Sequence, residues 1–285
     1  MIAADLSPYT TDRIEAIVDR ALAASGALGV LPTPLEAVGR HARIRAVEPV
    51  TALPAEVRVR GREILGALWF EERVVYVDER QSAPRRRFTE AHEIIHALCP
   101  WHVAVLREDT EDELFRPVSD AVEAEANAGA GMLLFQGSAF ARRAEAAPCS
   151  IATAHALARE HGASVHATLH HYVQTHPRVV AMLTTGRFPR KDGSLPVWRS
   201  VESRAFRRRY GAASAHYPQG LRAGAALHAL AEAARTTSEC PAAVLRLGDA
   251  ARGQRFRAEA HYNRHAFLIL LAGLAGTRGR KDGAS

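Results

Sequence analysis

Apolar positions along this chain recur at helical spacing in some stretches and at strand spacing in others, and the alternation lays out its elements. Residues 11–26 read as a helix, with Thr11 as a cap and Ile14, Ile17, Val18 and Leu22 on one face. Pro32 and Pro34 break the chain before a second, short helix from Leu35 to His41. Arg43 to Val47 alternates as a strand does. Ala67 to Phe70 and Val74 to Val77 read as a hairpin around Glu71, Glu72 and Arg73. Gln81 to Arg87 is expected to be a basic loop. It leads into a helix whose buried stripe is Phe88, Ala91, Ile94, Ile95 and Leu98, closed by Pro100. Val74 to Val77 reads equally as a core strand and as an edge strand able to hold an extended peptide by strand addition.

Further along, Glu108 to Glu113 reads as a solvated acidic loop. Ser119 is the expected cap of a helix that turns Val122, Ala126, Ala130 and Leu133 inward. Ser150 to His161, a tight turn at Gly162, a cap at Ser164 and a helix from Val165 to Gln174 give a helix-turn-helix outline. His166, Thr168 and His170 are not a phosphate-reading set, so packing or docking of a partner is its expected role. Pro177, Pro189, Gly193 and Pro196 mark a linker-like, arginine-rich stretch. Beyond it, Gly224 to Ala234 reads as a helix. Ala242 to Leu247, Arg255 to Ala260 and Ala266 to Leu271 read as strands, and Gly276 to Ser285 as a tail.

Composition changes this picture little. Hydrophobic content of 47% and charged content of 24% describe a soluble globular protein, and 285 residues suggest two domains. The net charge of +6 comes almost wholly from arginine, since Lys191 and Lys281 are the only lysines. A basic balance permits contact with nucleic acid or an acidic protein, but an arginine- and alanine-rich chain also follows from genome composition, so direct DNA binding stays open. Cys99, Cys149 and Cys240 are widely spaced with no Cys-x-x-Cys, which argues against a disulfide framework and a cysteine zinc site. The first residues lack the layout of a signal peptide, and the apolar run from Ala266 to Ala272 is too short to span a bilayer. The expectation is a cytoplasmic protein with no membrane partner.

The chemistry concentrates in His92-Glu93-Ile94-Ile95-His96. Residues four apart share a helix face, so the two imidazoles can grip one metal ion while Glu93 stands beside its open position. Zinc suits such donors, and manganese is the alternative cation. Hydrolysis of an amide bond is the chemistry implied, with Glu93 as the base. A third ligand is required, and Glu123 is the first choice. Asn127, four residues on, shares its face and is placed to orient a ligating imidazole, whereas Glu125 points to about the opposite side. Asp120 is a reserve ligand. So is His102, which falls where an extended zinc motif places a third histidine, although Cys99 and Pro100 replace the glycine turn of that motif. Cys99 reads as a buried inert thiol. His170, His171 and His176 resemble a second metal cluster, but adjacent histidines on a helix point apart. Tyr172 or Tyr76 is a possible oxyanion or substrate contact.

Arg87 to His96, Glu123-Ala124-Glu125-Ala126-Asn127 and Met132-Leu133-Leu134 together resemble the ImmA/IrrE metallopeptidases, over about residues 10–177. The resemblance implies His92, His96 and Glu123 as zinc ligands, Glu93 as catalytic base, and a helix-turn-helix transcriptional repressor as protein substrate. Its cleavage would release stress-response (DNA-damage) or mobile-element genes. Three positions depart from the family pattern. Ile95 stands where a small residue is usual and is expected to crowd the site, Gly129 replaces the usual aromatic, and Phe135-Gln136 replaces a common Met-Pro. These departures bear on rate and substrate fit more than on the metal set.

The expected architecture is α+β. A zincin-like metallopeptidase domain spans 1–148, a helix-turn-helix-like segment 149–177, and a small sensor-like α/β domain 178–285. The alternative is a non-catalytic DNA-binding or repressor-binding regulator that uses a degenerate peptidase fold as scaffold.

Overall fold

The computed structural model describes residues 8–54, 64–102, 116–237, 240–247 and 254–274. The expected acidic loop at 108–113 and the tail at 276–285 lie outside them. Two compact units emerge, one from residues 1–140 and 158–167, the other from 141–157 and 168–285. Residues of the helix-turn-helix-like segment at 149–177 fall in both units. Among the described residues no helix is long and apolar enough to cross a membrane.

The first unit opens with α1 (Pro8–Ala24) and α2 (Leu35–His41), followed by β1 (Ala46–Pro49), β2 (Gly66–Trp69) and β3 (Val74–Val77). Then come α3 (Ala83–Leu98) and α4 (Arg116–Phe135). Ile14, Val18 and Leu22 of α1 are buried, as their spacing required. The strands form a three-stranded sheet of order β1-β3-β2, with β3 parallel to β1 and antiparallel to β2. Of the two readings of Val74 to Val77, the core strand is the one observed. It lies in the middle of the sheet with Val75 fully buried, and among the described residues β1 and β2 are the strands at its two edges.

Three helix starts differ from expectation. α1 begins at Pro8, which puts Thr11 inside it and not at its cap. α3 begins at Ala83, so Arg85–Arg87 lie on the helix and not in a loop; Pro84 in the first turn has no amide hydrogen to leave unsatisfied. α4 begins at Arg116, which puts Ser119 inside it. At its other end Gln136, at φ 53°, receives the amide of Gly29 at 2.7 Å. It also donates to the carbonyls of Ala27 at 3.1 Å and Val30 at 2.9 Å. The glutamine that departs from the family pattern thus fastens the 27–33 loop to the end of α4.

Past α4 come α5 (Ser138–Ala146), α6 (Ile151–His161) and α7 (Val165–Thr175). Gly162 makes the turn between α6 and α7 at φ 62°, and Ser164 Oγ accepts the Ala167 amide at 3.1 Å as an N-cap.

The second unit holds β4 (Val180–Gly186), β5 (Val197–Glu202), α8 (Arg204–Tyr210), α9 (Ala226–Thr236), β6 (Ala242–Arg246), β7 (Arg255–Tyr262) and β8 (Ala266–Gly273). They build an antiparallel sheet of order β5-β4-β8-β7-β6. The stretch expected as a linker contains β4, every residue of which is buried between β5 and β8. Leu227, Leu230, Ala231 and Ala234 of α9 join Phe256, Ala258, Ala260, Phe267 and Ile269 in one core.

Candidate metal centre

Helices α3 and α4 bring the predicted donors together. His92 and His96 stand one turn apart on α3, with their Nε2 atoms 3.0 Å from each other. Glu123 on α4 reaches both, at 3.2 Å from His92 Nε2 and 3.4 Å from His96 Nε2. A tetrahedral ion with bonds of about 2.0–2.1 Å requires its ligand atoms about 3.3 Å apart. The three separations, measured to Glu123 Oε2 from His92 and to Glu123 Oε1 from His96, lie close to that value, and the donor set of two imidazoles and a carboxylate suits a divalent transition metal. The Glu123 side chain keeps 39% exposure, so the triangle opens to solvent on one side.

The electrostatics agree with the geometry. The imidazoles of His92 and His96 beside it hold the Glu123 carboxyl well below the usual carboxylate range, against the effect of burial. Burial disfavours charge on His92, but bonding to Glu123 and the charge of Glu93 outweigh it, and its pKa is raised. Glu93, only 7% exposed, is pushed up chiefly by burial, in the direction that makes a carboxylate a better proton acceptor.

His102 is not a ligand in this arrangement but a support. It is fully buried, and burial lowers its pKa to about 4, so it is neutral. Its Nε2 lies 3.0 Å from Glu125 Oε2, and its Nδ1 lies 3.0 Å from His96 Nδ1. Because a carboxylate can only accept, His102 donates through Nε2 and accepts through Nδ1. His96 must then carry its hydrogen on Nδ1, which leaves its Nε2 lone pair directed at the triangle. Glu125 also accepts from Trp101 Nε1 at 2.8 Å, and the Arg13 guanidinium lies 3.4 Å above the Trp101 ring. Asn127 donates to the Glu123 carbonyl at 2.7 Å and hydrogen-bonds His92.

Glu125 and Trp101 went unnoticed in the sequence. Glu125 does project away from Glu123, but that direction leads to the back of His96 rather than to solvent. Gly66 was missed as well. A Cβ there would stand 2.2 Å from Thr89 Cγ2 and 3.0 Å from Glu93 Oε1, so β2 passes over Glu93 at a distance only glycine permits. A lone glycine in a strand was the available signal.

Other predicted residues lie elsewhere. Asp120 is exposed and outside the donor group. Val77 faces Gly66 across the ladder, on the α3 side, so the pleat turns Tyr76 to the opposite face of the sheet. Tyr172 belongs to the second unit, where it is fully buried beside the Cys149 thiol and packs on His176 at 5.0 Å. His170, His171 and His176 form no donor group among the described residues. Cys99 is fully buried and its thiol is pushed up to about 12 by that burial, as befits an inert cysteine.

Ile95 does not crowd the cleft. Its side-chain carbons lie 2.9–3.0 Å from where a Cβ on Gly129 would stand, so it fills the gap that glycine leaves on α4. The two departures from the family pattern answer one another.

Residues 57–172 match the family described as the IrrE N-terminal-like domain, Peptidase_M78. The IrrE N-terminal-like match contains α3, α4 and every member of the triangle. Among solved structures, a Mycobacterium tuberculosis transcriptional regulator is similar to 96% of this chain over 93% of its own length, with a TM-score of 0.57 and 18% identity. At that identity the likeness is one of fold. No curated protein matches the sequence.

Proposed function

We propose that this chain is a cytoplasmic zinc-dependent endopeptidase that cuts a helix-turn-helix transcriptional repressor and so releases the genes it silences, those of a stress (DNA-damage) response or of a mobile element. The observation that carries the reading is the triangle of His92, His96 and Glu123 at tetrahedral spacing beside a buried Glu93. The match of residues 57–172 to the IrrE N-terminal-like domain, Peptidase_M78, supports it.

A divalent cation held by these three side chains supplies Lewis acidity toward the scissile carbonyl. The residues of the chain do the rest. Glu93 takes a proton from the attacking water and delivers it to the leaving amine nitrogen, a role favoured by the raised pKa of its carboxyl. His102 and Asn127 keep the two imidazoles aimed. Among the described residues β2 pairs with β3 alone, and Gly66 brings its backbone onto Glu93. A peptide adding to the free edge of β2 would therefore run its carbonyls past the base.

Comparison of protein N-termini across the proteome, in cells expressing this chain or its Glu93→Gln variant, tests the proposal. The expected result is a new N-terminus inside a helix-turn-helix repressor, absent with the variant. Identical N-termini under several stresses would refute proteolysis.

A further inference from the structure

The second unit carries a donor group that the peptidase reading does not use. His155, Cys240 and His261 each offer a ligand atom, and the three atoms lie within 4.8 Å of one another. All three residues belong to this unit.

The fold brings them together through two independent registers. β6 and β7 pair antiparallel with Ala242 opposite Glu259, and the Ala260 amide donates to the Pro241 carbonyl at 3.2 Å, so the ladder continues past Ala242. Continued one step further, it sets Cys240 opposite His261, and directly opposed residues project from the same face of a sheet. That face is not the core face. Ala258, Ala260 and Tyr262 pack toward α9, so Arg257, Glu259 and His261 point the other way.

Helix α6 supplies the third donor. Glu259 Oε2 accepts the Ile151 amide at 2.7 Å, and Arg257 Nε holds the other oxygen of that carboxylate at 2.7 Å. This bond pins the start of α6 to β7. From there, four residues of helix advance about 6 Å and two residues of strand about 6.8 Å. His155 consequently arrives opposite His261, with ring centroids 4.6 Å apart and planes at 86°.

We propose that His155, Cys240 and His261 form a second metal site, for a thiophilic divalent transition-metal ion of which zinc is the one argued for. Two imidazoles and a thiolate are the soft, nitrogen-and-sulfur set that such ions prefer over magnesium or calcium. Ligand atoms on a tetrahedral zinc stand about 3.3–3.6 Å apart, so closing the group takes about 1 Å, which side-chain rotation supplies. Each residue is half-buried, which lets an ion enter and leaves solvent for a fourth position. On binding, the Cys240 thiol releases its proton to solvent and the sulfur binds as thiolate. The widely spaced cysteines argued against a cysteine-only site; a mixed site assembled by folding has no such spacing rule. The ion ties α6 to the β6–β7 edge at a second point beyond Glu259.

Cobalt separates this site from the first, because His92, His96 and Glu123 offer no sulfur. Titration of the reduced full chain with Co2+ should produce a thiolate-to-cobalt charge-transfer absorption that saturates at about one equivalent of sulfur-bound ion. The band should persist in Glu123→Ala and vanish in Cys240→Ser. His261→Gln and His155→Gln should weaken the band-forming affinity at least ~10-fold. No band in the unaltered chain, or a band that survives Cys240→Ser, overturns the proposal. A measurement that needs no variant accompanies it. Zn2+ should slow alkylation of Cys240 in the native chain by ~10-fold or more while leaving Cys149 unchanged. Equal alkylation of Cys240 with and without Zn2+ would rule the site out.

Discussion

The two donor groups are built in opposite ways. His92, His96 and Glu123 stand on two packed helices, and two of the three are fixed by helical repeat alone. His155, Cys240 and His261 come from a helix, a strand entrance and a strand end, and meet only because a ladder register and one carboxylate–amide bond agree. The first site can be read from nine consecutive residues and one glutamate. The second cannot be read at all until the sheet is assembled. Local periodicity announces a site, while tertiary register conceals one.

The largest effect expected from a single substitution falls on the chemistry of the first site. Glu93→Gln should reduce repressor cleavage by about 10²–10⁴-fold or more while leaving both metal contents intact, as measured by product formation and elemental analysis on the same sample. Loss of metal on that substitution would mean that Glu93 is a ligand and the triangle is misassigned.

Next in size is the support behind His96. His102→Phe removes the acceptor at His96 Nδ1 and should weaken metal binding at the first site by about 10–100-fold. The thiolate–cobalt band of the second unit should not move, and a parallel loss of that band would show that the two sites are not independent.

Packing comes third. Gly129→Ala should lower stability by about 1–3 kcal/mol through its clash with Ile95. In the double variant with Ile95→Ala the two losses should not add, with coupling of about 0.5–3 kcal/mol in chemical denaturation. Strict additivity would break the claim that these residues fill one space. The smallest effect is on the second unit, where Ser203 Oγ accepts the Phe206 amide at the start of α8. Ser203→Ala should cost about 1 kcal/mol in thermal unfolding without altering metal content at either site.

Much of the first unit was legible. α2 falls at the residues its flanking prolines and apolar pair indicated, and the α3 stripe and the Glu123 face follow from a 3.6-residue period. What escaped was set by neighbours in space. The arginines before Phe88 look like a loop because they are charged and follow a proline, yet a proline in a first turn favours a helix. β4 was hidden among prolines and arginines although Val180 to Leu183 is a buried apolar run, since a run of that length is equally helix or strand in isolation. Glu125 was assigned its direction correctly, but only the fold reveals that His102 waits there.

The exchange of bulk between Ile95 and Gly129 has a consequence for how such a chain could have arisen. With an aromatic at 129, a branched residue at 95 would have had no room, whereas a glycine at 129 first would have left only a cavity. A cavity is tolerated more readily than a steric overlap within a helix–helix contact. From a chain with an aromatic at 129 and a small residue at 95, the path through Gly129 would cross only a cavity and the path through Ile95 a steric overlap, so the first would be the easier.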